Sequence, residues 1–209
     1  MAEQRITFDF SLLPPVESMG ILTTLAAEVE ERFDIVGLFN ETRDRARGAL
    51  MLFCGAHGHD DAWRDEAYIR AGLNEFYSIG DAFAREHRVA RLAGEPRKIL
   101  ESRNPLIHLM LLMRHVSVHT QTCTVAHHKA TVISHLGEES HEITYPAAII
   151  SDLSVDHLLL QRREAKRKYD RGELARIVSW FCEKQMVFGA HEVFTEGTEL
   201  LCQELLSNY

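Results

Sequence analysis

The segment NPLIHLMLLMRHVSVH, which begins at Asn104, constrains the fold more than any other part of the sequence. Asparagine is a favourable N-cap and proline a favourable first helical residue, so a helix is predicted to start at Asn104 and Pro105. Its positions Leu106 to Met113 are almost all apolar, which predicts that the helix is seated in the core of a bundle. The helix then ends in Arg114 and His119, so its C-terminal end carries polar groups at the edge of that core.

Helical periodicity also marks the chain before this segment. Apolar residues recur at three- and four-residue steps from about Ser18 to Phe33, over 41–54 and over 65–91. This is the spacing of amphipathic helices, which bury one face. Trp63 and Trp180 are expected to anchor the core.

The C-terminal part is predicted to be helical as well. The stretch HLLLQRREAKRKYDRG is expected to form one helix, for which Asp156 is the candidate cap. Residues 173–206 again show helical spacing, with a possible break at Gly189 or Gly197.

The pattern changes between Thr120 and Asp152. β-branched residues precede a turn segment, LGEES, and a second strand-like run follows it, which predicts a β-hairpin. Two strands alone are marginally stable, so this hairpin should lie on the helices or pair with another chain. The sequence therefore predicts a mainly α fold, an up-and-down helical bundle in a single domain over residues 1–209, with a β-hairpin insertion at about 120–152.

Charge and cysteine usage narrow the classes of function. The net charge of −8 argues against a protein that coats nucleic acid through a broad basic surface, although a local basic patch is compatible with it. The four cysteines are widely spaced and form no CxxC pair, which favours a reduced, cytoplasmic protein. No membrane association is expected, because the longest apolar run, Leu109 to Met113, is too short to span a bilayer. The sequence contains no phosphate-binding, dinucleotide-binding or serine-hydrolase motif.

The end of the apolar helix, Arg114-His115-x3-His119, resembles the motif of the HEPN superfamily. That motif is an arginine followed by Asn, Asp or His, with a histidine four to six residues beyond. The resemblance covers about residues 65–119. Arg103 and His108 have the same spacing, but they straddle the start of the helix, so the second match is better placed.

Resemblance to catalytic HEPN proteins implies a metal-independent endoribonuclease that needs no cofactor. It implies a site at the interface of a symmetric homodimer, a toxin, defence or stress role, and an antitoxin or other regulatory partner. On this interpretation Arg114 and His119 are catalytic, and His115 orients them. Arginine offers fixed donors for a phosphate and histidine titrates near neutral pH, so the pair can cut RNA without metal.

Other residues are candidates for contact with RNA. Arg70 and Glu75, on the preceding helix, are expected to reach the same cleft. A basic run further along the chain is a candidate for the phosphate backbone, and its members are Arg162, Arg163, Lys166, Arg167, Lys168 and Arg171.

Two alternatives stay open from the sequence. The same arginine and histidines can simply satisfy the last carbonyls of the helix, in which case the chain is a non-catalytic RNA-binding or protein-interaction module. The histidines can also be metal ligands, with His108, His115 and His119 on roughly one face of the helix. His57 and His59 form a further histidine pair in a glycine- and aspartate-rich loop, where a solvated role is the simpler interpretation.

Overall fold

The computed structural model describes residues 5–17, 39–59, 61–92, 94–96, 98–119, 124–136, 139–159 and 163–207. The helix predicted from about Ser18 to Phe33 lies outside these residues. The described part contains seven α-helices, one antiparallel hairpin and two short 3-10 helices (Phe10–Leu12 and Ile99–Glu101), which confirms the predicted mainly α fold with a β-hairpin. The elements in chain order are α1 (Asn40–Gly55), α2 (Ala62–Val89), α3 (Pro105–His119), β1 (Val125–Leu136), β2 (Glu139–Ile150), α4 (Val155–Leu159), α5 (Arg163–Lys168), α6 (Arg171–Phe188) and α7 (Ala190–Leu206).

The two long helices α1 and α2 pack against each other along much of their length. The buried side chains of α2 follow the predicted three- and four-residue spacing. At their contact, Gly72 of α2 faces Phe53 of α1, and a Cβ at Gly72 would lie 2.5 Å from the Phe53 ring. Glycine therefore permits the close approach of these two helices.

The apolar helix α3 starts as the sequence predicts. The Asn104 side-chain oxygen accepts the backbone N–H of Leu106 at 2.9 Å, which satisfies one of the first orphan donors of the helix. All positions from Leu106 to Met113 are buried, and α3 contacts α2, α6 and α7. A helix apolar on every side is stable here because neighbours cover each of its faces.

The hairpin runs in register from Val125 opposite Ile150 to Leu136 opposite Glu139, so it lies within the predicted range. Its base is fixed to α6 by one buried side chain: Gln185 accepts the N–H of Ile150 at 2.8 Å and donates to its carbonyl at 2.9 Å. Both strands also pack on the helices, β1 on α2 and α6 and β2 on α6 and α7. The hairpin therefore lies on the helices, as its marginal stability alone requires.

Three details of the sequence prediction are wrong. The stretch expected to be one helix through Gly172 ends at Lys168. Its described parts are α4 and α5, and residues 160–162 between them lie outside the described residues. The cap of α4 is Ser154, whose hydroxyl accepts the N–H of His157 at 3.2 Å, whereas Asp156 lies in the first turn and pairs with Arg171 at 2.7 Å. Trp63 is 66% exposed and anchors no core.

Two other details are confirmed or refined. The break in the last helical segment lies at Gly189, which ends α6 and precedes α7 with a φ of +84°. Trp180 is half-buried, and its indole N–H donates to the Pro14 carbonyl at 3.1 Å, which fastens the N-terminal arm to α6. None of the helices within the described ranges combines the length and the apolar character needed to cross a bilayer.

Candidate functional site

Arg114 leaves the core at the C-terminal end of α3 and is held by two residues of α2. Its Nε donates to the Asn74 side-chain oxygen at 3.1 Å, and its guanidinium carbon lies 4.5 Å from the centroid of the Tyr77 ring. Asn74 and Tyr77 are three residues apart, so they share one face of α2. A hydrogen bond and a cation–π contact together fix the orientation of the guanidinium.

His115, the next residue, lines a surface cavity together with α5. The half-buried side chains of His115 and Lys168 contribute to the same cavity wall as Tyr77 and Tyr169. The other lining side chains, Leu100, Leu111, Leu112 and Ala165, are aliphatic. We call the group formed by Asn74, Tyr77, Arg114, His115 and Lys168 the α3 rim.

The motif histidine His119 is the last residue of α3. Because the backbone is helical throughout, His115 and His119 are one turn apart and share a face of the helix. The side chain of His119 lies outside the part of the chain that the structure describes.

The two residues predicted to reach the site from α2 do other things. Arg70 pairs with Glu66 one turn earlier on the same helix, and Glu75 pairs with Arg45 of α1 at 3.0 Å. Asn74 takes the place expected for Glu75. For Glu75 the helical period explains the error, because adjacent residues point about 100° apart and a one-residue shift changes the face. Arg70 is engaged by Glu66 instead.

The structure describes only some of the side chains of the basic run. Lys168 is brought to the cavity beside His115, and Lys166 and Arg167 are exposed on the same short helix. Arg162 and the side chain of Arg163 lie outside the described residues. The tertiary structure thus brings Lys168 of the basic run to His115 of the predicted motif, although the two residues are more than 50 positions apart in the chain.

His108 is a structural residue, so the metal set of His108, His115 and His119 is not supported. It is fully buried, its Nε2–H donates to the Ser102 carbonyl at 2.8 Å, and its Nδ1 accepts the hydroxyl of Tyr169 at 2.9 Å. Burial lowers the pKa of His108, and the hydrogen bond to Ser102 only partly opposes this, so the imidazole is neutral with both nitrogens engaged. Within the described ranges, no three His, Cys, Asp or Glu side chains are grouped so that they can hold a metal ion.

Comparisons with protein families, with curated proteins and with solved structures find no match to this chain. The chemistry of the α3 rim is therefore the basis for the function proposed for this protein. Neither Asn74 nor Tyr77 was a candidate from sequence, and neither belongs to a motif. Their spacing from Arg70 on one helix face was the only signal that pointed to them.

Proposed function

We propose that the protein is a metal-independent endoribonuclease whose site is the α3 rim together with His119, the last residue of α3. The observation that carries this proposal is the orientation of the Arg114 guanidinium between Asn74 and Tyr77, beside the cavity shared by His115 and Lys168. The likeness of Arg114-His115-x3-His119 to the HEPN motif agrees with the same chemistry.

The reaction assigned to the rim is attack of an RNA 2′-hydroxyl on the adjacent phosphodiester. His119 removes the 2′ proton, and the 2′ oxygen forms a bond to phosphorus while the bond to the 5′ oxygen breaks. The leaving 5′ oxygen takes a proton from the same histidine of a second copy across the proposed dimer interface. The products are a 2′,3′-cyclic phosphate and a 5′-hydroxyl end.

Arg114 and Lys168 supply the positive charge for this reaction. The phosphorane carries an additional negative charge, which fixed cationic donors stabilise more than they stabilise the substrate. Exposed Lys166 and Arg167 extend the positive charge from the cavity along α5. Such a local strip suits RNA binding on a chain whose net charge is −8, because the phosphate contacts are confined to one surface. The dimer, an antitoxin or regulatory partner, a cytoplasmic location and a stress or defence role stay predictions.

Cleavage of end-labelled single-stranded RNA in EDTA tests the proposal. We expect wild type to cleave, and Arg114→Ala and His119→Ala to lose roughly 100-fold or more in rate, as when a key charge or proton donor is removed. Arg85→Ala is the matched control, because Arg85 is an exposed arginine of α2 that pairs with Glu41. Equal cleavage by all four proteins would show that the activity belongs elsewhere.

The alternative is a non-catalytic RNA-binding module. The intramolecular contacts of the Arg114 guanidinium favour it, since an arginine already engaged with Asn74 and Tyr77 can serve packing alone. RNA binding that depends on Lys168 and Arg114, without cleavage by wild type, would establish this alternative and refute catalysis.

A further inference from the structure

A second polar cluster lies on the loop between α1 and α2, where His57 and His59 flank Gly58. Gly58 has a φ of +88°, and a Cβ there would lie 2.7 Å from the carbonyl carbon of Pro146. The loop is therefore pressed against β2 in a conformation that favours glycine. This arrangement brings the two imidazole rings to a centroid separation of 4.5 Å.

A buried carboxylate orients one of these rings. Asp65 is fully buried in the first turn of α2, and its Oδ1 accepts Nδ1–H of His59 at 2.6 Å. Its Oδ2 accepts the backbone N–H of His59 at 2.9 Å and Nε2–H of His127, on β1, at 3.0 Å. Asp65 is thus held from two sides and cannot turn away from His59.

Both loop histidines are hydrogen-bonded through Nδ1, which leaves Nε2 of each ring as the candidate ligand atom. His57 donates its Nδ1–H to the carbonyl of Cys54 at 3.0 Å, so its Nε2 carries the lone pair. His59 donates its Nδ1–H to Asp65, so in the neutral ring its Nε2 also carries the lone pair, and the side chain is 19% exposed. A histidine whose Nδ1–H is bound by a carbonyl or a carboxylate is the usual form of a metal ligand.

We propose that His57 and His59 bind one divalent transition-metal ion of the zinc class through their Nε2 atoms. Water fills the other coordination positions of the ion, so the site has only two protein ligands. A pair of ligands is compatible with the finding that no group of three metal-binding side chains occurs among the described residues. Imidazole nitrogen suits zinc, copper or nickel, whereas magnesium and calcium prefer oxygen. The carboxylate of Asp65, which contacts His59, favours a cation over an anion such as phosphate.

The role of Asp65 is that of a positioning residue. Its carboxylate fixes the orientation of the His59 ring, and loss of such a carboxylate typically weakens metal binding by about 10–100-fold. His127 holds Asp65 through its Nε2, and the proposal assigns the ion to His57 and His59 alone.

Zinc titration of the full-length chain tests this site. The protein is purified without a histidine tag, stripped with EDTA and dialysed, and Zn²⁺ is added in a calorimeter, with Co²⁺ absorption as a spectroscopic readout. We expect wild type to bind one equivalent of zinc. His57→Ala and His59→Ala should each lose roughly 100-fold or more in affinity, and Asp65→Asn about tenfold. His128→Ala is the matched control, because His128 neighbours His127 on β1 but its side chain points to the opposite face.

The possible outcomes separate the proposal from its alternatives. No stoichiometric binding by wild type, or unchanged binding in both loop variants, would overturn it. His57 is exposed, so His57→Ala should fold normally and gives a clear answer even if His59→Ala is destabilised. RNA cleavage in EDTA is measured separately, so failure of this site leaves the proposed ribonuclease untouched.

Discussion

Replacing His191 should make the protein resist acid, because His191 is a buried imidazole that folds in its neutral form. It is 2% exposed, and its Nδ1 has no hydrogen-bond partner among the described residues. Its Nε2 lies 3.6 Å from Glu192, which is too long for a hydrogen bond. Burial is the main reason why the pKa of His191 is lowered to about 4. The charge of His57 contributes to this lowering of the pKa, and the charge of Asp65 opposes both effects.

The sign and size of the effect follow from linkage. Because the folded pKa lies below the ordinary value of 6.5, the unfolded chain binds more protons between these two values. The free energy of unfolding therefore falls as the pH falls through this window. Each pKa unit is worth about 1.4 kcal/mol, so a shift from 6.5 to about 4 costs about 3 kcal/mol once the pH is below the folded pKa.

Urea unfolding followed by circular dichroism at several pH values between 7 and 4, in EDTA, measures this loss. Between pH 7 and pH 4, the free energy of unfolding of His191→Leu should fall by about 3 kcal/mol less than that of wild type. The m values should be unchanged. His108, whose pKa is also lowered by burial, should leave a residual pH dependence of the same sign. His128→Leu removes one imidazole elsewhere and serves as the control. If His191→Leu loses as much stability as wild type, the buried-neutral assignment is refuted.

Two stability predictions concern the junction of the hairpin with the helices. Gln185→Leu should lower the free energy of unfolding, measured in urea, by about 2–4 kcal/mol, because it leaves two buried backbone groups of Ile150 without their partners. Gln203 is exposed, so the control Gln203→Leu should leave the free energy of unfolding nearly unchanged. Gly189→Ala should lower the melting temperature more than Gly94→Ala. Both glycines have a positive φ, so both variants strain the backbone. A Cβ at Gly189 would also lie 2.7 Å from Nδ1 of His191, whereas a Cβ at Gly94 would have no atom within 4 Å. Equal losses for the two alanine variants would mean that backbone strain, not crowding, sets the cost.

The local features of the fold could be predicted from sequence. The Asn104-Pro105 start of α3, the spacing of buried residues on α2 and the β-branched runs of the hairpin depend on residues close together in the chain. Capping, helical period and strand alternation are short-range effects, so the sequence alone indicates them. The exposed Trp63 shows the limit, since an aromatic residue near a helix start has no local signal that tells surface from core.

The tertiary structure decided which side chains meet at each candidate site. Arg114 contacts Asn74 rather than Glu75, because the packing of α2 on α3 selects one helix face and a single residue step changes that face. The hydrogen bond between Asp65 and His127 joins positions that are 62 residues apart. Such pairings depend on how helices and hairpin pack, and no short-range pattern in the sequence encodes them.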